Sequence, residues 1–149
     1  MNRTQLIENI IDPVIRDMGC FSPQAVDLLV MIAAHESREG HYLAQISGPA
    51  IGIYQMEPAT HDEIIQYLRR NNYDLYERLN KWTGIIHHSL MAGNLYYATF
   101  MARAFFLRYP DALPRTHPDM AAYAKMRWNT AAGKATAEDY LNAFNEWRD

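Results

Sequence analysis

The chain has 149 residues, 14 Lys and Arg against 17 Asp and Glu, and a net charge of −3. That length suits one domain with its own core, and the acidic balance argues against a nucleic-acid partner. Cys20 is the only cysteine, which excludes an internal disulfide and a cysteine-based zinc site.

The N-terminal stretch carries Glu8 and Asp12, so it does not read as a signal peptide. Apolar runs fall far short of the ~20 residues a membrane span needs. The expectation is a soluble chain made in the cytoplasm, with no stable membrane insertion.

Leu6, Ile7, Ile10, Ile11, Val14, Ile15 and Met18 share one helical face. Pro13 should kink or split that helix, and Gly19 should stop it. Ser22-Pro23 is an N-cap followed by proline at the first helical position. The helix it opens carries Val26, Leu29, Val30, Ala33, Ala34 and Ser37 inward and is expected to end at Gly40. Gly48, Pro49 and Gly52 then break the pattern, so residues 40–57 read as an irregular lobe or short β-hairpin.

Pro58 opens the next helix, with Ile64, Ile65 and Leu68 inward and Asn71-Asn72 at its end. Asp74 is a candidate cap for a short turn through Leu75 and Leu79. Residues 85–109 read as a central buried helix, broken near Gly93. Asp119 is a candidate cap for a helix running to Trp128. Thr136 to Asp139 reads as a capping box ahead of Tyr140, Leu141, Phe144 and Trp147. The expected fold is mainly α, one domain over residues 1–149.

Three constellations could carry chemistry. In His35-Glu36-Ser37-Arg38-Glu39-Gly40-His41 the histidines are six apart, not four, so they do not share a helical face for zinc. Glu36 lies near a helix C-terminus, where the macrodipole and partial burial both favour the protonated carboxylic acid. Such a group can act as a general acid; a solvated glutamate is the plain alternative.

The second constellation is Gly52-Ile53-Tyr54-Gln55, a turn glycine beside an amide able to donate and accept. The third is Trp128-Asn129, an aromatic followed by an amide near a helix end. Tyr42, Tyr54, Tyr123 and Trp128 offer flat rings that could stack on sugars or fill the core. His87-His88 reads as helix surface, the two rings pointing apart.

In order, Glu36-Ser37, Gly52-Ile53-Tyr54-Gln55, Asn94-Leu95-Tyr96-Tyr97-Ala98 and Trp128-Asn129 resemble the motifs of the lytic transglycosylase domain of the lysozyme-like superfamily. The resemblance spans residues 26–133. It departs from the family pattern in Ile53-Tyr54 for Leu-Met, Ala98 for Gly, and Trp128 for Tyr. The glycine that often follows the asparagine is missing or displaced to Gly133. The short length resembles a phage-encoded enzyme, either endolysin or virion-associated.

The resemblance implies an α+β lysozyme-like fold and cleavage of the β-1,4 bond between N-acetylmuramic acid and N-acetylglucosamine. Glu36 would be the single acid and base, and the product would be a 1,6-anhydro sugar. Ser37, Tyr54 and Gln55 would position substrate or hold Glu36, with Tyr42, Trp128 and Asn129 as further substrate contacts. No metal or cofactor is expected. The implied partners are peptidoglycan glycan strands and other virion or lysis proteins, with action on the cell wall after release or as a virion component. A lysozyme-type hydrolase would need a second carboxylate, for which Glu39, Glu57, Asp62 and Glu63 are available. A third reading is a non-catalytic glycan-binding or virion structural module, which predicts that Glu36 is dispensable.

Overall fold

Asn2 starts the chain's first helix by accepting the Gln5 N–H on its side chain at 2.8 Å. Helix α1 (Arg3–Leu6) runs into a π-helical segment (Ile7–Ile11) and then α2 (Asp12–Asp17). The expected break at Pro13 is thus a local widening. Proline has no N–H to donate into the preceding turn, and the π segment directly upstream accommodates the missing bond. Leu6, Ile11, Val14 and Ile15 still face the core. The computed structural model describes all residues, 1–149.

Helix α3 (Pro23–Glu36) opens as its sequence signals dictate, with Ser22 Oγ accepting the Ala25 N–H at 3.0 Å and Pro23 in the first turn. Every residue from Leu28 to Ala34 is buried, so this helix is enclosed rather than amphipathic. Its fully covered Leu, Ile and Val side chains each stabilise the fold by roughly 1.5–3 kcal/mol. It ends at Glu36, four residues before the expected stop at Gly40.

Residues 40–57 form no strand, which corrects the hairpin expectation. Two isolated antiparallel bridges, Ala44 with Ile51 and Ile51 with Met56, are all the pairing present. Ser47, Gly52 and Gln55 sit at positive φ, and Pro49 cannot donate to a ladder, so no run of extended residues is long enough.

Helices α4 (Pro58–Asn71) and α5 (Tyr73–Thr83) follow, separated by Asn72, whose side chain, not that of Asp74, caps α5. The expected long helix over 85–109 is shorter at its front. Residues 84–89 are irregular, α6 (Leu90–Gly93) is one turn, and Asn94 caps α7 (Leu95–Leu107) by accepting the Tyr97 N–H at 3.0 Å. His87 and His88 lie in the irregular stretch with ring centroids 4.1 Å apart, so they are neither helical nor divergent.

Helix α7 is the second enclosed helix, buried from Tyr97 to Ala102 and again from Ala104 to Phe106. Thr116, three residues before the expected Asp119, caps α8 (His117–Ala124), which continues as a π-helical turn (Lys125–Asn129). Thr136 and Asp139 form the expected capping box of α9 (Ala137–Glu146). The fold is mainly helical, with α3 and α7 at its centre and α9 laid along α3. No helix is long and apolar enough to cross a membrane.

Candidate active site

Glu36 is the last residue of α3, and the chain after it turns away sharply. Arg38 and Glu39 both adopt left-handed φ, 49° and 60°. Ser37 holds that turn together. Its Oγ donates to the Ala33 carbonyl at 3.0 Å and accepts the Gly40 N–H at 3.0 Å. Ser37 is wholly buried, so its work is to fix the backbone under Glu36 rather than to meet a ligand. The N-terminus braces the same turn, with the Met1 ammonium donating to the Glu39 carbonyl at 3.1 Å.

The Glu36 side chain is largely covered, and burial pushes its carboxyl above the usual carboxylate range. One group opposes that shift. The Tyr140 hydroxyl, from α9 and 104 residues away, donates to Glu36 Oε1. Burial and the adjoining carboxylate keep Tyr140 protonated, so it serves as a donor throughout. The His35 ring packs on the Tyr140 ring with centroids 4.3 Å apart, fixing the tyrosine from behind. A carboxyl whose pKa is raised by burial and whose orientation is set by one donor is suited to giving a proton and taking it back.

Glu36 opens onto a cleft of about 590 Å³. Gln45, Gln55 and Glu57 line it from the 40–57 lobe, and Trp128, Asn129, Thr130 and Gly133 line it from the segment after α8. A smaller cavity of about 250 Å³ continues past Glu36 and Gln55 to Tyr42. Of the aromatic candidates, Tyr42 and Trp128 therefore line the cleft. Trp128 is half-buried and backed by Phe105, with ring centroids 4.7 Å apart.

Gln55 is held at φ 51°, and its side-chain amide donates to the Gly52 carbonyl at 2.9 Å. Gly52 has a steric reason to be glycine. A Cβ there would sit 2.3 Å from the Met91 carbonyl oxygen, at φ +81°. The segment carrying Met91 thus presses directly on the turn that presents Gln55.

Asn129 ends the π-helical turn. Its Oδ1 accepts from Lys125 Nζ at 2.6 Å, and the same ammonium donates to the Gly133 carbonyl at 2.8 Å. Gly133 packs so close that an added Cβ would lie 2.1 Å from Asn129 Oδ1. Gly133 therefore folds back onto Asn129. Thr130 pays a backbone cost at this rim, with φ 69° and ψ 167°, a conformation strained for a β-branched residue by about 1–3 kcal/mol.

Two expected substrate contacts face inward instead. Ser37 is one. Tyr54 is the other: it is buried, and its hydroxyl pairs with Thr99 Oγ1 at 2.9 Å. Period and spacing put both beside the motif glutamate and glutamine, but their side chains are on the core side of those backbones. Tyr123 is likewise buried, against Phe106.

Of the carboxylates considered as a second acid, only Glu57 lines the cleft. Glu39 faces an adjoining hollow on the far side of Arg38. Asp62 pairs with His61 at 2.9 Å and is 64% exposed; Glu63 is 72% exposed. The sequence reading missed Tyr140, Lys125 and the role of Gly133. Tyr140 was visible only as one member of an apolar helical face, since nothing local links it to Glu36.

No family model, no curated protein and no solved structure matches this chain.

Proposed function

We propose that this chain is a lytic transglycosylase that cleaves the β-1,4 bond between N-acetylmuramic acid and N-acetylglucosamine in peptidoglycan. The observation that carries the reading is Glu36 itself. It is a largely covered carboxyl with a raised pKa, oriented by the Tyr140 hydroxyl, where two cavities lined by amides and aromatic rings meet.

In this reading the glycan runs through both cavities and the scissile bond lies over Glu36. The carboxylic acid protonates the glycosidic oxygen while the substrate's own acetamido group stabilises the positive charge developing on the sugar. The resulting carboxylate then accepts the proton of the muramoyl C6 hydroxyl as that oxygen closes the 1,6-anhydro ring. One protein carboxylate suffices, in contrast to the usual glycosidase pair. Tyr140 fixes the carboxyl in both states, and Gln55 and Asn129 offer amides to sugar acetamido and hydroxyl groups. Trp128 and Tyr42 offer ring faces to sugar C–H faces.

One observation favours a second reading. Glu57 lines the same cleft as Glu36, which supports a hydrolase in which Glu57 directs water.

The test of the first reading is solubilisation of isolated sacculi by wild type and by Glu36→Gln. Glutamine keeps the shape but has no proton to give, so lysis should fall by roughly 10²–10⁴-fold with the fold intact. A folded Glu36→Gln variant lysing within about threefold of wild type would remove the assignment and favour a non-catalytic module.

A further inference from the structure

The two lobes of the cleft differ in charge. The larger lobe carries Glu57 as well as Glu36 and has no Lys or Arg among its lining side chains; the Lys125 ammonium behind it is engaged by Asn129 Oδ1 and the Gly133 carbonyl. The smaller lobe shares Glu36 and Gln55 with it but adds Arg38, its one permanent cation. His35 also lines this lobe, and burial holds its imidazole toward the neutral form.

Arg38 is exposed and unspent. The ion pairs of the protein occupy Arg16, Arg78, Arg108, Arg127, His61 and His117, and Arg38 has no carboxylate within 4.0 Å. Glu39, Asp139 and Glu146 face it from the hollow on its other side, beyond ion-pair distance. Its guanidinium stands 5.8 Å from the centroid of the Tyr42 ring, which lines the same lobe. The backbone beneath is fixed by the left-handed turn, where the Arg38 carbonyl accepts the His41 N–H at 3.1 Å. A planar fork of N–H donors with no internal acceptor, two residues from the general acid, matches a carboxylate better than a neutral sugar.

We infer that Arg38 determines specificity by binding a carboxylate carried on the sugar that occupies the smaller lobe. The inference rests on the peptidoglycan reading above and narrows its substrate class. In that polymer only the muramoyl residue bears carboxylates: on its stem peptide where one is attached, on its lactyl group where none is. The carboxylate-bearing sugar is drawn to the Arg38 lobe, and the Glu57 lobe takes the uncharged amino sugar. A purely N-acetylglucosamine chain leaves Arg38 without a partner.

Binding is measured in the Glu36→Gln protein, which holds substrate without turnover, and compared with Glu36→Gln carrying Arg38→Gln or Arg38→Lys. Three probes are used: peptide-bearing glycan fragments, the same fragments stripped by an amidase to leave the lactyl carboxylate, and N-acetylglucosamine oligomers. Loss of the guanidinium should weaken a carboxylate-bearing probe about tenfold and leave the uncharged oligomer within about twofold. Lysine should restore part of the loss, and high salt should shrink the difference. A loss confined to peptide-bearing fragments assigns the stem carboxylate; a loss confined to stripped fragments assigns the lactyl group. An equal change for all three probes, or none, overturns the role of Arg38. If Glu36→Gln binds none of the probes, the peptidoglycan reading falls and the inference with it.

Discussion

The α3–α9 wall and the 40–57 lobe face each other across one cleft but are built by different means. The wall is helical and enclosed. It presents Glu36 from the end of a 14-residue helix and holds it with Tyr140 from a second helix. The lobe has almost no ladder and presents Gln45, Gln55 and Glu57 from irregular backbone, with Ser47, Gly52 and Gln55 at left-handed φ. The contrast separates two tasks. A proton donor needs a fixed environment to set its pKa, and buried helices supply it. Ligand-facing amides need closely spaced changes of direction, which short turns supply at the cost of backbone strain.

The sharpest way to break the lobe without touching the wall is Gly52→Ala. The new methyl would meet the Met91 carbonyl, a backbone atom, at a φ that disfavours any side chain. Destabilisation of about 2–5 kcal/mol is expected, read as a lowered denaturation midpoint. Unchanged stability would mean that the segment carrying Met91 does not pack on the lobe as described.

Tyr140→Phe acts on the wall. It deletes the donor that holds Glu36 and that opposes its raised pKa. Activity should fall roughly 10- to 100-fold, the scale of a misplaced catalytic group. The sign of the pH effect follows. Removing a bond that favours the carboxylate raises the Glu36 pKa further, so the alkaline limb of the activity profile should move to higher pH. A limb that stays fixed or moves to lower pH would separate Tyr140 from the titration of Glu36.

Gln55→Gly separates the lobe's shape from its chemistry. Glycine adopts φ 51° without strain, which offsets its own chain-entropy cost, so stability should change by no more than about 1 kcal/mol. Sacculus solubilisation should still drop about tenfold through loss of the amide. Full activity would exclude Gln55 from substrate contact.

The smallest effect is on stability and again concerns the wall. Glu36 has a folded pKa above its unfolded one, so its contribution is fully present below the unfolded value. That contribution is lost as pH rises through the folded value. Glu36→Gln has no such titration. Its melting temperature should exceed wild type by about 2–4 °C in mildly alkaline buffer, and the gap should close in acid. A gap that is constant with pH would contradict the buried-acid description.

How much of this was legible in the sequence differs between the two regions for the same reason. Caps are local chemistry, so Ser22-Pro23 and the Thr136–Asp139 box located the starts of α3 and α9. Glu36 was legible as a candidate because a glutamate at the end of an apolar helix stands out locally and heads the ordered set of motifs. The Tyr140 bond was not, since it joins residues 104 apart that only the packing of α9 on α3 brings together. Residues 40–57 read as an irregular lobe or a short hairpin, and the irregular alternative is the one the chain adopts. Positive φ at non-glycine positions such as Ser47 and Gln55 leaves no mark in composition. Ser37 and Tyr54 went astray because adjacency along the chain does not fix which side of the backbone a side chain takes.

The central claim is that Glu36 alone serves as acid and base. Mass analysis of the sugars released from purified sacculi tests it most directly, with wild type, Glu36→Gln and Glu57→Gln run side by side. The expected result is 1,6-anhydro-muropeptides, lighter by one water than hydrolysis products, from wild type and from Glu57→Gln alike, and none from Glu36→Gln. Reducing muramic ends from wild type, lost equally in Glu36→Gln and Glu57→Gln, would contradict the claim and establish a two-carboxylate hydrolase in its place.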